Sequence, residues 1–309
     1  MNIKRFIFSI GLAGIAVALM AVLLGVPAMA EPIYGVNSHL VSAASAVITP
    51  TVLTTVAVGD QPQDVGVNPV SNRIYVANYS SGDVSVVDGA SHTVSATVTT
   101  AVHPSGTGIY TPTNRIYISN HGSNTVSVID GTSDTVSATV AVGSGPWGIA
   151  VNVLTNRIYV ADEYSNNISV INGAVDSVIA TVPVGNAPRG VEVNPVTNFI
   201  YVTNFGSNDV SVIDGSVYTV IKRIPVGNAP MGVGVNPATN RIYVANQSSG
   251  TVSVIDGVSH TVFATVTVGS LPSGVGINLT TNRVYVTNYG DDTVSVIDGA
   301  SNTVSATVG

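Results

Sequence analysis

One phrase occurs six times in this chain at a constant interval. SNRIYVAN stands at residues 71–78, and close variants of it begin at residues 113, 155, 197, 239 and 281. The tyrosines of the six copies follow one another in steps of 42 residues: Tyr75, Tyr117, Tyr159, Tyr201, Tyr243 and Tyr285. A fixed period of this length without insertions is typical of a repeat architecture, in which each copy is one supersecondary unit.

Each copy has the pattern of four short strands. In the third copy, runs rich in Val, Ile, Thr and Tyr cover residues 149–152, 157–161, 168–172 and 177–184, and Gly, Asn, Asp and Pro fill the gaps between them. The Asp-Gly pair after the third strand predicts a tight turn with a positive φ. Four antiparallel strands repeated around an axis predict an all-β propeller, in which radial closure protects the sheet edges.

The number of blades depends on the N-terminal part of the chain. Residues 59–309 hold the six copies as one propeller domain, and residues 31–58 resemble fragments of a further copy, such as PIYGVN at 32–37. Seven complete blades need 294 residues, whereas 279 follow residue 30. We therefore expect a seven-bladed ring with a degenerate N-terminal blade. The alternative is six blades with an extra N-terminal strand.

Residues 1–30 have the pattern of an export signal. Two basic residues, Lys4 and Arg5, precede an apolar run over residues 6–26, and Ala28-Met29-Ala30 matches a small-x-small cleavage site. The run is also long enough to span a bilayer, so an uncleaved membrane anchor is the alternative. Both interpretations predict an extracytoplasmic protein that is secreted, periplasmic or at the cell surface.

The composition excludes several classes of function. Without Lys4 and Arg5, eight basic residues stand against 17 acidic ones, which is a poor balance for binding nucleic acid. The chain has no cysteine, so neither a disulfide nor a covalently attached c-type haem is expected. No P-loop, G-x-S-x-G or short metal-binding motif occurs, and we expect no cofactor and assign no metal ligand.

Small residues recur at one position of the first strand. Five copies have glycine or alanine there: Gly66, Gly108, Ala150, Gly234 and Gly276. This predicts the innermost strand, where neighbouring blades converge and leave little room for side chains. Glu192 is the exception, and we expect its carboxylate to pair with Arg189 or to contact water in the channel.

Two series of positions differ from copy to copy, and both lie on one predicted face of the disc. After the second strands the series is Tyr79, His121, Glu163, Phe205, Gln247 and Tyr289. Before the first strands it is Gln63, Ser105, Trp147, Arg189, Met231 and Ser273. Exposed loops vary freely, but Trp, Tyr, Phe and Arg are residues that favour binding surfaces.

The candidate binding residues are those that fall on this face or its axial edge in the second to fourth copies: His103, His121, Trp147, Asp162, Glu163, Arg189 and Glu192. A polar, partly aromatic patch of this kind suits a protein, peptide or glycan. Histidine beside carboxylates also suits a divalent ion or an acid–base pair, although no motif assigns a catalytic residue. A ring of arginines also lies near a ring of aspartates of the Asp-Gly turns. The two rings could bind ions, but we expect them to pair with one another and with turn carbonyls.

The conserved core of the copies, NRIYVAN followed by VSVIDG and TV-ATV-VG, resembles the YVTN-family β-propeller repeat, and YVTN itself stands at 201–204 and 285–288. The resemblance covers residues 52–309. It implies an extracytoplasmic propeller of the type in archaeal surface-layer and exported bacterial proteins, usually with seven blades. The leading functional prediction is a non-enzymatic binding module at the cell envelope. The alternative is a propeller enzyme, lyase or lactonase-like, that uses the same face.

Overall fold

The computed structural model describes residues 54–309, and its regular structure is almost entirely β. Six sheets, each of four antiparallel strands in sequential order, succeed one another along the chain and form six propeller blades. Two short 3₁₀ helices, Thr111–Thr113 and Gln247–Ser249, interrupt the turns. The predicted all-β propeller is confirmed. Within the described residues no helix is long and apolar enough to cross a membrane.

Blades 1 to 6 contain strands β1–β4, β5–β8, β9–β12, β13–β16, β17–β20 and β21–β24. Their bounds are β1 Pro62–Asn68, β2 Arg73–Asn78, β3 Asp83–Asp88, β4 Thr93–Thr99, β5 Pro104–Tyr110, β6 Arg115–Asn120, β7 Thr125–Asp130, β8 Thr135–Ala141, β9 Pro146–Asn152, β10 Arg157–Asp162, β11 Asn167–Asn172, β12 Ser177–Pro183, β13 Pro188–Asn194, β14 Phe199–Asn204, β15 Asp209–Asp214, β16 Thr219–Pro225, β17 Pro230–Asn236, β18 Arg241–Asn246, β19 Thr251–Asp256, β20 Thr261–Thr267, β21 Pro272–Asn278, β22 Arg283–Asn288, β23 Thr293–Asp298 and β24 Thr303–Val308.

The first strand of each blade is the innermost, and first strands of successive blades pack against one another. This contact explains the small residues in β1 and its equivalents. A Cβ atom on Gly108 would approach Val151 of the next blade to 2.9 Å, and one on Gly234 would approach Val275 to 2.8 Å. Because such distances are too short for real contacts, side chains at this position have to be absent or to turn into the channel.

The apolar core lies between blades. Tyr159 on β10 is 0% exposed, and it packs in one cluster with Val191, Val193 and Ile200 of blade 4. Tyr75, Tyr117, Tyr201 and Tyr243 are equally buried, one in each further interface. The prediction that the repeated tyrosine packs between blades is therefore confirmed.

The turn after each third strand differs from the prediction. The positive φ falls four residues after the aspartate, as at His92 and Asp134, and not on the glycine of the Asp-Gly pair. The glycine is required for a different reason, since a Cβ on Gly89 would collide with Asn72. Asp88 accepts hydrogen bonds from the backbone of Ala90 and Ser91 at 3.0 and 2.8 Å, which makes it the turn residue that was expected.

Arginines and aspartates pair at the end of the propeller where second strands begin. Arg73 of blade 1 binds Asp134 of blade 2 at 2.6 Å and the carbonyl of Gly131 at 3.3 Å. Arg115 of blade 2 binds Asp176 of blade 3 in the same way, at 2.8 Å. The expected pairs with the aspartates of the Asp-Gly turns occur at Arg241 with Asp256 and at Arg283 with Asp298, each inside one blade. Arg73 and Arg115 instead bind other aspartates, which belong to the neighbouring blade.

Among residues 54–309, blades 1 and 6 differ from the others because each has one face without a neighbouring blade. In the described part of the chain, β21 and β1 do not make the close contact that joins the other successive first strands. Val56 is buried on the free face of blade 1, against Ile74, Val76 and Val87. It precedes Val98, the buried valine of β4, by one repeat length. This register agrees with a blade that precedes blade 1.

Most of the expected seventh blade, residues 31–53, and the expected export signal or anchor, residues 1–30, lie outside the described residues. The described part contains six blades, as in the alternative interpretation. The seventh blade and the signal stay predictions.

Candidate functional site

The two variable series meet at one end of the central channel. The loop after each second strand and the loop before each first strand lie on the same face, because strands alternate in direction. They surround a cavity of about 530 Å³. Its mouth is lined by Gln63, Trp147, Arg189, Met231 and Tyr289, and it continues along the first strands to Asp64 and Glu192. Cavities of this size with a few polar groups are typical small-molecule sites.

Glu163 connects the candidate residues at the mouth. Its Oε1 accepts hydrogen bonds from Nε and Nη2 of Arg189 at 3.0 and 2.8 Å. Its Oε2 lies 3.3 Å from Nε2 of His121. Burial, with the residue only 7% exposed, would raise the pKa of Glu163, but the hydrogen bonds from His121 and Arg189 outweigh it and hold the pKa below its ordinary value. The charged form of Glu163 is therefore favoured beside Arg189.

Aromatic rings hold the guanidinium of Arg189 in place. It lies 3.9 Å from the ring centroid of Phe205 and 5.4 Å from that of Trp147. Cation–π contacts of this kind fix the plane of an arginine as well as its position. The remaining nitrogen, Nη1, contacts the thioether of Met231 at 3.3 Å, which is a weak acceptor.

The two histidines lie beside the mouth, in contact with Tyr79 and Trp147, but they do not line the cavity itself. His103 stacks on Tyr79 with ring centroids 4.4 Å apart, and the hydroxyl of Tyr79 lies 3.5 Å from Nδ1 of His121. His121 meets Trp147 edge-on at 5.1 Å. The structure thus brings together five of the predicted residues: His103, His121, Trp147, Glu163 and Arg189.

Asp162 does not belong to this group. It is 0% exposed inside blade 3, where Oδ2 accepts a hydrogen bond from Ser169 at 2.7 Å and Oδ1 has no hydrogen-bond partner. Burial raises its pKa to about 7. The prediction that it lies on the binding face is wrong, because the second strand turns its last side chain into the blade.

Glu192 does not pair with Arg189, which corrects the other expected contact. Arg189 is occupied by Glu163, and Oε1 of Glu192 accepts a hydrogen bond from the backbone N–H of Val193 at 3.0 Å. The carboxyl group is partly accessible from the channel but is surrounded by protein. This burial, together with the charge of Asp64, raises the pKa of Glu192 to about 7.

Asp64 is a second channel carboxylate that the sequence reasoning missed. Its Oδ2 accepts a hydrogen bond from the backbone N–H of Thr107 at 2.7 Å, and burial raises its pKa to about 6. A signal for it was present in the sequence. The five other copies have glycine at its position: Gly106, Gly148, Gly190, Gly232 and Gly274.

The cavity therefore contains two carboxyl groups, on blades 1 and 4, that change protonation near neutral pH. Such groups are suited to accept and return protons during a reaction. Residues 54–309 contain no cluster of three or more His, Asp or Glu side chains placed to hold a metal ion. The chemistry available at this site is acid–base chemistry beside a fixed arginine.

Comparisons with known proteins agree with the fold and point to a family. The sequence model of the family described as "Lactonase, 7-bladed beta-propeller" matches residues 28–261, which is more than half of the chain. No curated protein matches the chain. The solved structure of "Kuenenia stuttgartiensis Hydrazine Synthase" is similar with a TM-score of 0.70 and 22% identity, over 77% of this chain and 76% of that one. At this identity the likeness shows the propeller fold alone.

These findings correct the functional prediction. The matching family is described by an enzymatic activity, so the prediction of a non-enzymatic binding module is wrong and the alternative of a propeller enzyme is favoured. The propeller fold that the YVTN resemblance implied is confirmed.

Proposed function

The chain belongs to the lactonase family of seven-bladed β-propellers, and from this premise we propose that it hydrolyses a lactone in the cavity at the mouth of its channel. The observation that carries the proposal is the pair of channel carboxyl groups, Asp64 and Glu192, with pKa values of about 6 and about 7. Both replace small residues of the other copies, so the repeat itself does not require them.

In the proposed reaction, ionised Glu192 accepts a proton from a water molecule whose oxygen adds to the lactone carbonyl. The bond between the carbonyl carbon and the ring oxygen then breaks, and the proton passes to that oxygen, which leaves as a hydroxyl group. The product is the open hydroxy acid. A general base works best when its pKa is close to the working pH, and a pKa of about 7 meets this condition.

Arg189 has a separate task in this proposal. Its Nη1 faces a weak acceptor, so it has donor capacity left for the carbonyl oxygen, on which negative charge develops as water adds. The contacts with Glu163, Trp147 and Phe205 hold the guanidinium in one orientation. A donor that is already oriented needs little rearrangement during the reaction.

We predict that Glu192→Gln lowers kcat about 100-fold, because glutamine cannot accept the proton. The assay is the release of acid from a panel of γ- and δ-lactones at constant pH. In the wild type, kcat/KM should rise with pH through about 7, because the base is active only when ionised. Asp64→Asn should shift this rise to lower pH, since the charge of Asp64 contributes to the raised pKa of Glu192.

Two controls accompany this experiment. Asp130→Asn changes a carboxylate in the turn after β7, at the end of the propeller opposite the cavity, and should leave the rates unchanged. Glu192→Gly restores the glycine of four other copies, so it should lower activity without lowering stability. Activity of Glu192→Gly equal to that of the wild type would exclude Glu192 as the base.

We further propose that the protein works outside the cytoplasm, on the basis of the basic, apolar and small-residue pattern of residues 1–30. Intact-mass measurement of the exported protein should give a chain that begins at Glu31. A full-length chain recovered from the membrane would instead mean that residues 6–26 act as an uncleaved anchor.

A further inference from the structure

The charges around the cavity restrict what can bind in it. Among the described residues that line it, Arg189 is the only lysine or arginine, whereas Asp64 and Glu192 are both acidic. The charge of Arg189 is already balanced by Glu163, which binds it at 2.8 Å. The site therefore presents no unpaired cation.

The other cations of the propeller lie elsewhere. Arg73 and its equivalents stand at the start of the second strands, at the opposite end of the channel, where Arg73 and Arg115 bind aspartates of neighbouring blades. Lys222 and Arg223 lie on β16, the outermost strand of blade 4, and are exposed. Residues 6–53 contain neither lysine nor arginine.

The free hydrogen-bonding groups at the mouth suit neutral oxygen atoms. Nη1 of Arg189 has only the sulfur of Met231 as an acceptor. Gln63, Gln247 and Ser273 add uncharged donors and acceptors around the same cavity. Hydroxyl and carbonyl groups of a ligand can bind to such a lining without bringing a charge.

We propose, as an extension of the lactonase function proposed above, that the cavity takes uncharged lactones such as those of neutral sugars and discriminates against lactones that carry a phosphate or carboxylate. An anionic group of a ligand in this cavity would lie near the carboxyl groups of Asp64 and Glu192, and among the described lining residues it would find no unpaired cation to bind. Placing like charges together in a partly enclosed site is strongly unfavourable.

The test uses a matched pair of substrates, D-glucono-δ-lactone and its 6-phosphate. For the wild type we expect kcat/KM to be at least about tenfold higher for the uncharged lactone, as one like-charge contact accounts for such a factor. Glu163→Gln leaves the charge of Arg189 unpaired and should reduce this preference about fivefold or more. Asp130→Asn is the matched control: it removes a carboxylate from the turn after β7, at the end of the propeller opposite the cavity, where the third copy has Asn172, and it should keep the preference. Equal rates on the two lactones, or faster hydrolysis of the phosphate, overturn the proposal.

A binding measurement separates this proposal from the proposed activity. If neither lactone is hydrolysed, the lactonase proposal fails, and the corresponding lactams, which resist hydrolysis, still test the selectivity. Trp147 is the only tryptophan of the chain and lines the cavity, so its fluorescence reports binding there. The uncharged lactam should bind with a Kd at least about tenfold lower than its 6-phosphate, by the same electrostatic argument. Tighter binding of the phosphate, or no binding of either lactam, contradicts the inference.

Discussion

Tyr159→Ala is expected to lower the free energy of unfolding by about 3–5 kcal/mol, the usual cost of removing a large buried ring. The ring is fully buried between blades 3 and 4 and contacts apolar side chains of both. The alanine variant leaves a cavity that rigid neighbouring sheets cannot close. Equilibrium unfolding in urea, with the slope of the transition compared between the two proteins, measures the loss.

Two control variants separate burial from other effects. The hydroxyl of Tyr159 is buried without a hydrogen-bond partner, so Tyr159→Phe should change stability by less than about 1 kcal/mol. Tyr164 is 65% exposed, and Tyr164→Ala should also cost less than about 1 kcal/mol. A loss below about 1 kcal/mol for Tyr159→Ala would mean that the ring does not hold the two blades together.

The second large effect concerns the pH dependence of stability. Asp162 has a folded-state pKa of about 7, against an ordinary value of 3.8, because burial disfavours its charged form. The folded protein therefore holds a proton that the unfolded chain releases. Its contribution is most favourable below about pH 4 and is lost as the pH rises towards 7. At 1.36 kcal/mol per pKa unit, the loss amounts to roughly 4 kcal/mol at most.

Asp162→Asn should remove this contribution, while those of Asp64 and Glu192 remain, and it should stabilise the protein at neutral pH. The five other copies have asparagine at this position. In blade 4, Nδ2 of Asn204 donates a hydrogen bond to the hydroxyl of Ser211 at 2.9 Å. The hydroxyl of Ser169 lies at the equivalent place in blade 3 and can accept the same hydrogen bond from the asparagine of the variant. Urea unfolding between pH 4 and 8 should show a flatter profile for the variant and a gain of about 1–3 kcal/mol at pH 8. Asp292→Asn, at an exposed turn, serves as the control. An unchanged profile for Asp162→Asn would show that Asp162 is not the source.

The comparison of the six copies identified the face that carries the cavity, but it placed Asp162 there wrongly. The series before the first strands and after the second strands does surround one cavity, because antiparallel strands fix which loops share a face. The sequence predicts Asp162 on that face or its axial edge, next to Glu163 in the chain. Adjacent residues of a strand point to opposite sides of the sheet, however, and one-residue differences in position decide between a blade interior and a channel mouth.

The partner of Arg189 was beyond sequence reasoning. Glu192 is three residues away in the chain, whereas Glu163 is 26 residues away on the preceding blade and is the residue that binds it. The contact is possible because the loop after β10 and the start of β13 meet across a blade interface. Asp64 was overlooked for a related reason. Asp64 lies on blade 1 and Glu192 on blade 4. Only the structure shows that the charge of Asp64 raises the pKa of Glu192.

The sequence by itself determined the repeat unit, the four strands of each blade, the buried tyrosine and the face on which the copies differ. These follow from local periodicity and from the comparison of equivalent positions, which need no knowledge of how blades meet. The tertiary structure alone decided that Glu163 holds Arg189, that Asp64 and Glu192 share a cavity, and that Asp162 is buried. Each of these depends on distances between different blades or on the direction of a single side chain, and a repeat pattern specifies neither.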